Sequence, residues 1–191
     1  MTVKTEISRF DIHDELTAPD ESAPLLKRIQ GQGAAVSKLI GVLAGAPAVL
    51  KAYARLRSEL RAGKLGRATR ERIALAAAEH RGDSYSVAQY ARTARAAGLG
   101  LDEISRARGF DSVDPRERAL LAFLKSVAES TGPPPLHLLE EAREVDWSDE
   151  ELLEAVAHLG LAEFQSLIAN AAALPQDQAT GTKVTPLAVQ S

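Results

Sequence analysis

The chain has no cysteine among its 191 residues, and Met1 is its only sulfur. That single absence removes disulfides, thiolate metal sites and every cysteine nucleophile. Aromatic residues are scarce as well, at 4%, so the interior must be built from aliphatic side chains. With Ala and Leu abundant, this favours helices over strands. No segment alternates with period two for more than a few residues, which argues against a sheet. No apolar run reaches the roughly 18 residues of a membrane helix. The opening M-T-V-K-T-E-I-S-R-F-D lacks the apolar stretch of a secretory leader. A cytoplasmic protein with no membrane contact is the expectation. Charge of one sign is missing too: 23 basic and 26 acidic residues are mixed along the chain, and no basic stripe suits nucleic acid. The four histidines, His13, His80, His137 and His158, form no pair at metal-ligand spacing, and no glycine-rich phosphate loop occurs. Neither a metal nor another cofactor is expected.

What is present is one core's worth of apolar residues, 45% of the chain, arranged mostly at helical spacing. Residues 1–32 are polar with scattered Pro and Gly and read as an N-terminal arm. A helical domain spans 33–175, and a polar, Thr-rich tail at 176–191 reads as disordered. Within the domain, Val36, Leu39, Ile40 and Leu43 mark a short helix ending at Gly45. Pro47 suits the first turn of the next, which runs to Gly63. A helix over about Ala68–His80 has a nearly all-alanine inner face. Asp83 or Ser84 can cap the following helix, which ends at Gly98. A short helix near Asp102–Arg108 precedes Asp114-Pro115-Arg116-Glu117, which supplies an N-cap, an N1 proline and an acid at N3. Ser148-x-x-Glu151 is a second capping box and opens a long final helix to Pro175. An all-α domain of about seven or eight helices follows. Arg70-Glu71-Arg72 and Arg116-Glu117-Arg118, 46 residues apart, are either two solvated first turns or the trace of an internal duplication.

The stretch from Thr69 to Leu99, T-R-E-R-I-A-L-A-A-A-E-H-R-G-D-S-Y-S-V-A-Q-Y-A-R-T-A-R-A-A-G-L, resembles the core of the alkylhydroperoxidase D and carboxymuconolactone decarboxylase superfamily. In the peroxidase branch, a helix bearing a Glu leads into a Gly-Cys-x-x-Cys-x-x-x-His turn and a second helix. On that pattern Glu71 takes the Glu position and Gly82 the Gly. Asp83 and Ser86 occupy the two Cys positions and Tyr90 the His. The segment Trp147–Val156 is similar to the longer, peroxidase-related subgroup, although Asn170 is followed by Ala171 where that subgroup carries Arg. The resemblance implies an alkylhydroperoxidase D-like helical fold and a homo-oligomer; the arm of residues 1–32 is expected to drape over the body or, in the oligomer, to contact a neighbouring subunit.

Each candidate residue has a functional and a structural reading. Glu71 lies 12 residues before Asp83, where the resemblance places a catalytic Glu; otherwise it is a solvated helix-face carboxylate. Asp83 suits an N-cap, where the helix dipole favours its charge, and a site role in addition. Ser86 and Tyr90 share a helix face, and Ser86 needs a base within reach to be nucleophilic. Tyr90 can donate a hydrogen bond but is a weak base. Tyr85 and Tyr90 equally suit core packing, and His80 suits a helix C-terminus or the site. Glu71, Ser86, Tyr90 and Asp83 are thus the catalytic candidates, with Tyr85 and His80 as substrate contacts.

A proton relay without a thiol still suits a decarboxylase or isomerase. One reading is therefore a cofactor-free acid–base lyase or isomerase acting on a small, anionic organic acid or lactone. The other is an inactive structural or regulatory descendant of the peroxidase branch. Both predict that the purified protein consumes no peroxide with a dithiol reductant above a buffer blank. Measurable turnover in that assay would contradict both.

Overall fold

The computed structural model describes residues 8–31 and 36–176, and among them there are nine helices and no strand. In chain order they are α1 (Ala23–Gly31), α2 (Lys38–Ala44), α3 (Pro47–Arg61), α4 (Arg67–His80) and α5 (Ser84–Ala96), followed by α6 (Leu101–Ala107), α7 (Pro115–Glu129), α8 (Leu136–Glu144) and α9 (Asp149–Ala172). Two of the nine are additions to the sequence reading. α1 falls inside the expected arm, and α8 follows the Pro133–Pro135 run, which masks its short amphipathic pattern. The expected tail, apart from Gln176, lies outside the described residues.

α4 and α9 form the central pair, with α5 against α4 and α7 against both α8 and α9. Ala76, Ala77 and Ala78 are fully buried on α4, and their small side chains let neighbouring helices approach closely. One core cluster joins Ile73 to Leu120, Leu121 and Leu124 of α7 and to Leu152, Ala155 and Leu159 of α9. A second packs Leu43, Leu50 and Tyr53 against Leu161 and Ala169. The capping box that opens α9 is closed in both directions, Glu151 N to Ser148 Oγ at 3.3 Å and Ser148 N to Glu151 Oε2 at 2.9 Å. By length and composition α9 is apolar enough to cross a membrane. Its Leu152, Leu159 and Ala162 are instead spent on the protein's own interior.

Residues 8–31 lie on the body of their own chain. Arg9 N donates to Ala172 O at 2.8 Å, His13 N to Gly41 O at 3.0 Å and Ser22 Oγ to Ala44 O at 2.7 Å, while Leu26 is fully buried. Gly41 permits this docking: a Cβ there would stand 2.6 Å from Ile12 Cγ2 and 2.9 Å from His13 O.

The two Arg-Glu-Arg segments are not solvated turns. Arg72 and Glu117 point inward, 9% and 8% exposed. Arg72 Nε donates to Glu103 Oε1 at 2.6 Å, and its Nη1 lies 3.5 Å from Glu117 Oε1. Thr69 Oγ1 completes the cluster with a 2.6 Å bond to Glu117 Oε1. Glu117 therefore faces α4 and does not close a capping box on α7. Burial opposes ionisation of both carboxyls. At Glu103, bonds from Ser112, Arg72 and the Val113 amide overcome it and hold the group below its usual range. At Glu117, burial prevails over the bond from Thr69 and the charge of Arg72 and pushes it up.

Removing Arg72 would leave two buried carboxylates uncompensated. Arg72→Met is expected to cost about 3–5 kcal/mol, the usual penalty for breaking a buried pair from one side. A chemical denaturation series measures this, and a loss below about 1 kcal/mol, the range of exposed pairs, would contradict the assignment.

Candidate functional site

The turn between α4 and α5 has the geometry its sequence demands. Gly82 N bonds to Glu79 O and Asp83 N to Ala78 O, both at 2.9 Å. This Schellman closure places Gly82 at φ 60°, a conformation suited to glycine. Asp83 then caps α5, accepting from Ser86 N at 3.0 Å. Asp83 and Ser86 are 1% and 3% exposed, and Asp83 Oδ2 has no hydrogen-bond partner among the described residues. Tyr85 is buried, its hydroxyl accepting long bonds from Leu39 N at 3.4 Å and Gln89 Nε2 at 3.3 Å. His80 is exposed at the end of α4, edge-on to Phe110 with ring centroids 6.0 Å apart.

A cavity of about 400 Å³ opens away from this turn, towards the start of α4 and the later part of α5, lined from α3, α4, α5 and α9. Of the six sequence candidates, Glu71 and Tyr90 line it; Asp83, Ser86, Tyr85 and His80 do not. Tyr90 stands one turn beyond Ser86 on α5, and that turn carries it from the closed start of the helix to the open cavity. Glu71 Oε2 accepts a hydrogen bond from Thr93 Oγ1, which ties α4 to α5 at the cavity wall. The Tyr90 hydroxyl donates to Gln165 Oε1, and Gln165 Nε2 donates to Tyr53 Oη at 2.7 Å. These bonds fix the orientation of the Gln165 amide. Burial raises the Tyr90 phenol well above its ordinary pKa, and the neighbouring phenol of Tyr53 adds to the effect. Tyr90 is therefore a neutral hydroxyl at physiological pH.

The sequence reading did not anticipate His158, Gln165, Tyr53, Thr93 or the arginines of this wall. His158 Nε2 lies 3.2 Å from Leu60 O. A carbonyl only accepts, so Nε2 carries the proton and Nδ1 keeps its lone pair. Burial lowers the pKa of this imidazole, which is neutral near pH 7. Arg57, Arg61, Arg67 and Arg70 complete the lining. The arrangement combines one carboxylate, one neutral imidazole, a phenol–amide–phenol chain and four cations. It can bind an anion and move a proton beside it. Among the described residues, no group of three His, Asp or Glu is gathered to hold a metal.

Residues 47–126 match the model of the Carboxymuconolactone decarboxylase family, a span that includes α3, α4, α5 and α6. No curated protein matches the chain. Several solved structures share the fold. An uncharacterized peroxidase-related protein from Ralstonia eutropha JMP134, described as an alkylhydroperoxidase AhpD core, superposes with a TM-score of 0.77 at 20% identity, covering 90% of this chain and 93% of that one. An uncharacterized peroxidase-related protein from Silicibacter sp. TM1040 gives 0.77 at 18% identity, covering 93% and 95%. The debrominase Bmp8, in complex with 2,3,4-tribromopyrrole, gives 0.68 at 20% identity, covering 83% and 89%. Residues 47–126 thus match the carboxymuconolactone decarboxylase family, the chain shares the helical fold of the alkylhydroperoxidase D-like structures, and no sulfur stands at either position between Gly82 and Tyr90.

Proposed function

We propose that this chain is a cofactor-free acid–base enzyme, a lyase or isomerase, that takes a small anionic organic acid or lactone into the Glu71 cavity. The observation that carries the reading is the pairing of one carboxylate, Glu71, with four arginines around a single opening. Arginine holds the substrate carboxylate and stabilises negative charge that develops beside it. In an isomerisation the ionised Glu71 takes a proton from a carbon next to a carbonyl, the electron pair passes into an enolate, and Glu71 returns the proton elsewhere. In a decarboxylation the carbon–carboxylate bond breaks, carbon dioxide leaves, and the electron pair left behind takes a proton from the protonated Glu71. Thr93 positions that carboxyl, and His158 Nδ1 is a second group able to accept a proton.

A scaffold reading draws on a different observation. The two positions where relatives in the peroxidase branch carry cysteine hold a buried cap, Asp83, and a buried serine, as expected of a turn retained for folding alone. The chain would then keep the fold without turnover.

Glu71→Gln separates the two, because it keeps shape and the Thr93 contact while removing the charge. On the enzyme reading its melting temperature stays with the wild type. Turnover of the responsive substrate, found by screening small carboxylates and lactones by NMR, drops about 10²–10⁴-fold. Equal turnover in both proteins would overturn the role of Glu71, and no turnover in either across the screen would favour the scaffold.

The reading also includes a cytoplasmic homo-oligomer. Leu16 is 87% exposed and Leu153 is 73% exposed, apolar surface that a subunit contact would cover. Sedimentation velocity at micromolar concentration is expected to give a species larger than 20.4 kDa; a monomer would contradict this.

A further inference from the structure

We infer that the Glu71 cavity recognises a compact dianion, the phosphoryl group of a phosphorylated small molecule, through the arginines of α3 and α4. This rests on the reading of that cavity as the substrate site and names the group that seats there. Arg57 and Arg61 stand one turn apart on α3, and Arg67 and Arg70 one turn apart at the start of α4. All four line the same cavity. Arg70 Nη1 donates to the main-chain oxygen of Arg61 at 2.8 Å, which ties the start of α4 to the end of α3 at the cavity wall.

None of the four has a carboxylate oxygen within 4.0 Å among the described residues, whereas Arg72, Arg81, Arg108 and Arg116 each do. The acid in the lining, Glu71, is bonded by Thr93. Glu154, one turn before His158 on α9, is occupied by the amides of Lys64 at 2.8 Å and Leu65 at 3.1 Å. The cavity thus holds four cations against one anion. A single carboxylate is satisfied by one guanidinium in a two-bonded pair and would leave three unmatched. A dicarboxylate divides its two charges between carboxylates held apart by a carbon chain. A phosphoryl dianion presents three terminal oxygens at one point and can take parallel pairs from more than one guanidinium at once. The cavity, about 400 Å³, leaves room beyond that group for a small organic body over Ala74, Leu161 and Ala162.

The test is calorimetric titration at pH 7.5 with inorganic phosphate and methyl phosphate, against acetate and succinate at matched ionic strength. The expected result is that both phosphates bind and that they bind more tightly than either carboxylate. Arg57→Gln and Arg70→Gln are each expected to weaken phosphate binding about tenfold, the loss of one charge-assisted pair, with unchanged circular dichroism. Arg95→Gln, on the exposed side of α5, should leave binding unchanged and so controls for general surface charge. Glu71→Gln should bind phosphate at least as well as the wild type, since it removes a repelling carboxylate, while losing turnover. That divergence separates this inference from the proposed reaction. Tighter binding of succinate, no binding of phosphate, equal affinity in the arginine variants, or loss of phosphate binding in Glu71→Gln would each overturn it. Turnover of carboxylates would survive any of these results as an independent observation.

Discussion

A guanidinium sits inside a helical bundle only where carboxylates meet it, and Arg72 is met by two, Glu103 from α6 and Glu117 from α7. Both partners are themselves held, Glu103 by Ser112 and the Val113 amide and Glu117 by Thr69. The cluster fixes the rotation of α4 about its own axis, because Arg72 has one place to go. Once that residue is turned inward, Arg70 and Glu71 are left on the side that meets α3, α5 and α9, where the cavity lies. The positions of the cavity's carboxylate and of one of its arginines are thus consequences of an ion cluster that never touches the cavity.

The end of α4 is fixed as firmly as its start. The Schellman closure at Gly82 and the Asp83 cap set the angle at which α5 departs. That angle brings Tyr90 and Thr93 back to face Glu71. In this chain the two positions between Gly82 and Tyr90 that could have carried sulfur serve the turn itself, one as cap and one as a buried first-turn residue. The polar groups of α5 and α9 that line the cavity therefore stand one turn further along α5 and across on α9.

Much of the helical framework could be read from local chemistry. Asp114 with Pro115, Ser148 with Glu151, and the glycines at 82 and 98 mark helix ends through backbone bonds that span only a few residues, and such signals survive in a linear reading. α1 and α8 escaped because each lies in a stretch read as loop, α1 within the polar arm with its scattered Pro and Gly and α8 directly after the Gly132–Pro135 run. Glu71 and Tyr90 were found through the resemblance of Thr69–Leu99 to the family pattern, which places them relative to Gly82. His158, Gln165 and Tyr53 were not, since nothing local in α9 or α3 distinguishes a residue facing a cavity from one facing the core.

The sequence by itself determined that the chain is helical, that it carries no thiol, and that a turn at Gly82 joins a Glu-bearing helix to one bearing Tyr90. These depend on backbone capping, helical period and composition, all of which are local or global properties of the string. Only the tertiary structure decided which charges are buried and which are free. Arg70 and Arg72 lie two residues apart in the same helix, yet one reaches the cavity and the other is enclosed by carboxylates 31 and 45 residues further along the chain. The difference is made by partners that sequence distance conceals, because a charge is tolerated inside only where folding delivers its counter-charge.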